Sequence, residues 1–208
     1  MSKISAISRG FGLLLVTFLC SCSAEALKIV QFDPLDADCE ATLVVDELSL
    51  ITKEQSLATW ICSVKTFDPE SRDNYYTQLL LKLPRMGVDD VGVKYNVIAE
   101  MSPDLQQMWL STLLLELQVS SGQDGMDADI WHTIISKLTD PELQQLKYTT
   151  LLLKLQVAGQ QGGEFNPKVM HAVIDMLTDQ DLQEMWRGTV GNIELIRAAN
   201  KVLDVQQP

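Results

Sequence analysis

Pro103 to Val119 reads PDLQQMWLSTLLLELQV, and Pro141 to Val157 reads PELQQLKYTTLLLKLQV. The two stretches align without a gap, so the chain repeats itself. Upstream, Pro69 opens a segment that ends YYTQLLLKL (Tyr75 to Leu83) in the same register. Downstream, DQDLQEMW (Asp179 to Trp186) copies the opening of the motif, and Phe32-Asp33-Pro34 copies Phe67-Asp68-Pro69. The units therefore start at Pro34, Pro69, Pro103, Pro141 and Gln180, with spacings of 35, 34, 38 and 39. That period is the length of a helix-turn-helix unit.

Each start carries its own physical signal. Asp33, Asp68, Ser102, Asp140 and Asp179 stand where an N-cap belongs, able to accept from backbone N–H groups that lack a partner in the first turn. Four of the five are followed by proline, tolerated at the first helical position because no N–H is needed there. The long helices are leucine-rich on several faces: Leu79 to Leu81 with Leu83, Leu113 to Leu115 with Leu117, and Leu151 to Leu153 with Leu155. Helices so apolar are expected to be covered on more than one side. Polar, glycine-bearing loops at Gly87–Asp90, Ser120–Asp127 and Gly159–Asn166 then lead to shorter second helices. The ends of these helices align as NVIAEM (Asn96–Met101), TIISKL (Thr133–Leu138) and AVIDML (Ala172–Leu177).

In the first unit the second helix is predicted over Thr52 to Thr66. In the last unit Gly188 and Gly191 interrupt the leucine run before a more polar helix over Ile193 to Leu203. The predicted fold is all-α: a right-handed stack of about five helical hairpins, one domain over 22–208. It resembles tetratricopeptide-type arrays in unit length and helix count. The W-x₂-L-G-x₂-Y signature of that family is absent.

Residues 1–21, or 1–26, read as an export signal. Lys3 and Arg9 form a basic start, and Gly10 to Leu19 form an apolar core of about ten residues, short of the 20 or so needed to span a bilayer. Leu19-Cys20-Ser21-Cys22 resembles a bacterial lipobox with Cys22 as the lipidated residue. Ala24-Glu25-Ala26 equally fits a signal-peptidase site that would release a soluble periplasmic or secreted chain. In the lipoprotein reading, Ser23 resembles the sorting signal for an outer-membrane lipoprotein facing the periplasm.

The 208-residue chain is 46% hydrophobic with net charge −12, which excludes intrinsic disorder and makes nucleic acid an unsuitable partner. Lys3 and Arg9 are the only charges before Cys22, so processing takes the balance to −14, suited to a basic protein partner. Cys39 and Cys62 lie equidistant from the connection at Leu50-Ile51. In an antiparallel hairpin they would face each other, and an exported chain would oxidise them to a disulfide.

Candidate binding residues fall in two columns. Trp60, Tyr95, His132 and His171 share a place in successive second helices and could grip a peptide or glycan. Tyr75, Trp109, Lys147 and Trp186 stand six residues after successive repeat starts, and tryptophan is frequent at binding hot spots. Signals for chemistry are sparse. His132, His171 and Asp175 have metal-ligand side chains without a metal-binding spacing. Asp124, Asp127 and Asp129 lack the glycine and twelfth-position glutamate of a calcium loop, and no nucleophile motif occurs. No cofactor and no catalysis are expected. The expected function is that of an exported, lipid-anchored adaptor or assembly factor for another envelope protein. The alternatives are a periplasmic immunity-type inhibitor of a toxin and, less favoured, an envelope glycan or peptide hydrolase.

Overall fold

The computed structural model describes residues 27–32, 57–120, 127–160 and 165–205, and among them every regular element is helical. The helices are α1 (Leu57–Lys65), α2 (Pro69–Lys82), α3 (Val91–Ala99), α4 (Pro103–Ser120), α5 (Ala128–Ile135), α6 (Pro141–Gln160), α7 (Pro167–Asp175) and α8 (Gln180–Val205). Long and short helices alternate, and each packs chiefly on its neighbours in the chain.

Helix starts follow the expected chemistry. Asp68 accepts from Ser71 N, Asp140 from Glu142 N and Leu143 N, and Asp179 from Leu182 N. Hydrogen bonds from Ser71 hold the exposed Asp68 carboxyl below its ordinary value. The short helices have caps of their own: Asp90, Asp127 and Asn166. Asp33 and the first long helix lie outside the described residues. So do Cys22, Cys39 and Asp124. Cys62 is buried and disulfide-bonded, and its partner also lies outside them.

The core repeats with the sequence. Seven, ten and eleven residues after each start come Tyr76, Leu79 and Leu80 on α2, Leu110, Leu113 and Leu114 on α4, and Tyr148, Leu151 and Leu152 on α6, all buried. They meet matching triplets at the ends of the short helices: Val97, Ile98 and Met101; Ile134, Ile135 and Leu138; Val173, Ile174 and Leu177. Each such side chain contributes about 1.5–3 kcal/mol by leaving water.

A paired glutamine binds one unit to the next. The first of the pair reaches back to the end of the preceding unit: Gln106 donates to Met101 O, Gln144 to Leu138 O and Gln183 to Leu177 O. The second reaches forward to the end of its own unit and closes it. Gln107 accepts from Thr139 N at 2.7 Å, and Gln145 from Thr178 N at 2.9 Å and Asp179 N at 3.2 Å. In α2, Asp73 holds that position and accepts from Ser102 N at 2.9 Å. The long helices also meet near their C-terminal ends, where cations find orphan carbonyls. Lys154 of α6 donates to Gln118 O of α4, and Arg197 of α8 donates to Gly159 O of α6 while lying over Phe165.

Two expectations need correction. The last unit is not a hairpin: α8 runs unbroken through Gly188 and Gly191 for 26 residues. Glycine weakens a helix but does not turn it, and Trp186 and Val190 anchor this one in the core. Nor are the leucine-rich helices covered all round, because Leu81, Leu115 and Leu153 are each at least half exposed.

The segment Leu27–Phe32 forms an extended strap across two short helices. Lys28 N donates to Asp129 Oδ1 at 3.0 Å and Val30 N to Thr133 Oγ1 at 2.8 Å, both on α5. Phe32 then packs at a tilt against Tyr95 of α3, with ring centroids 4.7 Å apart. Gly92 makes room for it, since a Cβ there would stand 2.9 Å from the Phe32 ring. Leu27 at the strap's beginning is buried in the core.

Candidate functional site

The long helices present a second stripe, distinct from the one that faces the core. Five, nine, twelve and sixteen residues after the start, α4 carries Met108, Thr112, Leu115 and Val119, and α6 carries Leu146, Thr150, Leu153 and Val157. Helix α8 continues the rows with Met185, Thr189, Asn192 and Ile196. At 100° per residue these offsets fall on one line, about 180° around the helix from the buried positions. All the Met, Leu, Val and Ile side chains of the stripe are exposed, up to 87% for Val119. The threonines add to the apolar character. Thr112, Thr150 and Thr189 each turn the hydroxyl back onto the carbonyl four residues earlier, at 3.0, 2.9 and 3.0 Å, so that hydrogen bond is made within the helix.

Single exposed leucines are ordinary. Three helices repeating the same line, apolar but for the threonines and Asn192 of α8, are not, and the bonds from Lys154 to Gln118 and from Arg197 to Gly159 link those helices near their C-terminal ends. The result is an apolar ribbon across α4, α6 and α8, the kind of surface that marks an interaction site. One residue after each start, on the same line, stands an exposed acid: Glu70, Asp104, Glu142 and Asp181. Each complements the positive end of its helix. Together they border the ribbon with a row of carboxylates.

At the α4 edge the ribbon runs into a cavity of about 490 Å³ between α3, α4 and the turn after α2. Thr112, Leu115 and Val119 of the stripe line it, with Pro84, Val91 and Leu113 among its apolar walls. Its charged lining residues are Lys94, Asp89 and Glu116. Lys94 is nearly buried, with Nζ 2.6 Å from Asp89 and 2.8 Å from Glu116. Burial disfavours its charge, but the two carboxylates outweigh burial and hold the ammonium above its ordinary value. Two acids against one base leave this part of the cavity with a charge of −1.

The residues singled out from sequence stand elsewhere. Trp60 is core, edge-on to Tyr75 and Tyr76 at 6.3 Å. Tyr95 lies under Phe32 of the strap and lines a smaller cleft of about 230 Å³ with Gln106 and Lys137. His132 is buried, its Nδ1 3.0 Å from Tyr148 Oη, while His171 is half-buried. Burial depresses the His132 imidazole, with Asp129 partly opposing, and raises the Tyr148 hydroxyl to about 12. Trp186 is buried and Trp109 packs against the core. Their indole N–H groups, like Tyr76 Oη, find no hydrogen-bond partner among the described residues. Packing against apolar neighbours is thus what these rings do. Among the described residues no three His, Cys, Asp or Glu side chains come together as a metal site, and no helix is long and apolar enough to cross a membrane.

The ribbon itself escaped the sequence reading because its leucines sit inside unbroken Leu-Leu-Leu runs. Aligning the units column by column would have separated it, since Met/Leu, Thr, Leu (Asn192 in α8) and Val/Ile recur at helical spacing out of phase with the buried columns. The chain matches no protein-family model, no curated protein and no solved structure. Any functional reading therefore stands on this surface and its chemistry.

Proposed function

We propose that this protein is an exported, lipid-anchored adaptor whose hairpins stack as a right-handed, tetratricopeptide-like α-solenoid and hold a segment of another envelope protein. The observation that carries the reading is the apolar ribbon repeated across three long helices with its border of acids. Buried apolar area supplies the affinity, and the carboxylate row selects a partner whose apolar segment is flanked by Lys or Arg. The glutamines support the stacked arrangement, because Gln106, Gln144 and Gln183 each reach back to the end of the preceding unit.

The strap supports a definite orientation at the membrane. The five peptide links from a lipidated Cys22 to Leu27 reach at most about 18 Å. The anchor then holds the short helices α3 and α5 near the bilayer and turns the ribbon away from it. The Cys39–Cys62 disulfide staples the first hairpin, which has a neighbour on one side only.

The test is proximity crosslinking in native envelopes, comparing the wild-type chain with a Leu115→Lys/Leu153→Lys double variant. Both positions are exposed, so the fold should survive. One stoichiometric partner, captured by the wild type and lost with the double variant, is the expected result. Capture that ignores the ribbon, or no partner at all, overturns the reading. The partner's own identity decides between an adaptor and an inhibitor of a basic toxin.

A further inference from the structure

The cavity at the α4 edge of the ribbon is a concave site open to solvent, and it gives the partner's chemistry more detail. We infer that this cavity is the anchor site of the interface, taking one large apolar side chain of the partner together with an adjacent Lys or Arg that pairs with Asp89 and Glu116. The inference rests on the adaptor reading and narrows what the ribbon binds.

Size and continuity argue for a side chain as occupant. A volume of about 490 Å³ exceeds what a single phenylalanine or leucine needs, leaving room for the neighbouring cation at the mouth. Thr112, Leu115 and Val119 belong to both cavity and ribbon, so a segment lying on the ribbon reaches the cavity without a break. The charge decides the class of ligand. Lys94 already faces two carboxylates, at 2.6 and 2.8 Å. A fatty acid or other anion entering here would have to displace them from the ammonium and would meet their repulsion. A cation meets a surplus of negative charge and needs only to share the outer carboxylate oxygens. Asp89 and Glu116 are accessible for this, with side chains 77% and 46% exposed, whereas Lys94 is withdrawn. An apolar group beside a cation therefore fits where an apolar group beside an anion does not.

The experiment uses the whole mature chain and three probes: a 14-residue amphipathic peptide bearing Leu, Phe and Arg, its counterpart with Glu for Arg, and dodecanoate. Binding is followed by fluorescence anisotropy of labelled peptide, with dodecanoate as competitor. The basic peptide should bind at least tenfold tighter than the acidic one, and dodecanoate should not displace it. Val119→Lys and Glu116→Gln, both at exposed side chains, should each weaken it at least fivefold. Glu194→Gln on α8 removes the same charge away from the cavity and should change binding less than twofold. Equal loss from Glu194→Gln, displacement by dodecanoate, or indifference to the two cavity variants overturns the anchor site. If the cavity variants are silent while Leu153→Lys abolishes peptide binding, the anchor falls and the ribbon reading stands. If Leu153→Lys is silent too, both fall.

Discussion

His132 and Tyr148 form a polar pair inside a largely apolar helical core, 3.0 Å apart. Because burial holds the imidazole below the ordinary histidine value of 6.5, there is a pH window between the lowered value and 6.5. Within it the unfolded chain takes up a proton that the folded chain refuses. Stability is therefore full above about pH 6.5 and declines on acidification through that window. His132→Phe should flatten this part of the Tm–pH profile while costing about 1–3 kcal/mol at neutral pH, because the Tyr148 hydroxyl loses its partner. Adding Tyr148→Phe should recover most of that cost. An acid slope unchanged in the variant would assign the pH dependence to other groups. Gly92 is a simpler case. Any side chain there collides with Phe32, so Gly92→Val should loosen the strap and raise hydrogen exchange of α3 without touching the ribbon.

Helix α8 is the element where local sequence misleads most. Two glycines three residues apart signal a break, yet neither occupies a turn, and nothing lies within 4 Å of a Cβ added at either. Gly188→Ala and Gly191→Ala should each stabilise the protein by about 0.5–1 kcal/mol in urea unfolding. A destabilisation would show that the chain does turn there. The clamps that close each unit make the opposite kind of prediction. Gln145→Ala frees two backbone N–H groups at the start of α8, and the expected loss is about 1 kcal/mol. Gln145→Glu keeps the acceptor and should lose less, as Asp73 already plays this part in α2. Equal losses for Ala and Glu would mean that the hydrogen bond is not what the position supplies.

At the scale of the whole molecule, charge and apolar surface act together. A chain of net charge −12 attracts a basic partner over a distance that salt shortens, the Debye length falling from about 10 Å at 0.1 M to about 3 Å at 1 M. Partner capture should thus weaken several-fold between about 0.1 and 0.5 M salt through slower association, while the apolar contacts retain part of the affinity. Capture indifferent to salt would mean that the acid row plays no part in recognition.

How much of this could be seen in the chain divides along physical lines. Proline after an N-cap acid, leucine at helical spacing and loops of glycine and polar residues are local signals, and they located α2 to α7 and the caps at Asp68, Asp140 and Asp179. They act within one helical turn, so sequence suffices. The exposed face of a Leu-Leu-Leu run is a different matter. Leu114 is fully buried and its neighbour Leu115 is 52% exposed, a difference made entirely by where the next helices lie. The same holds for the strap, whose contacts span about a hundred residues, and for Lys94, whose two carboxylates come from the loop before α3 and from α4. The sequence by itself determined that helices form, where they begin and that they repeat. Only the tertiary structure decided which apolar residues meet water, because exposure depends on neighbours distant in the chain.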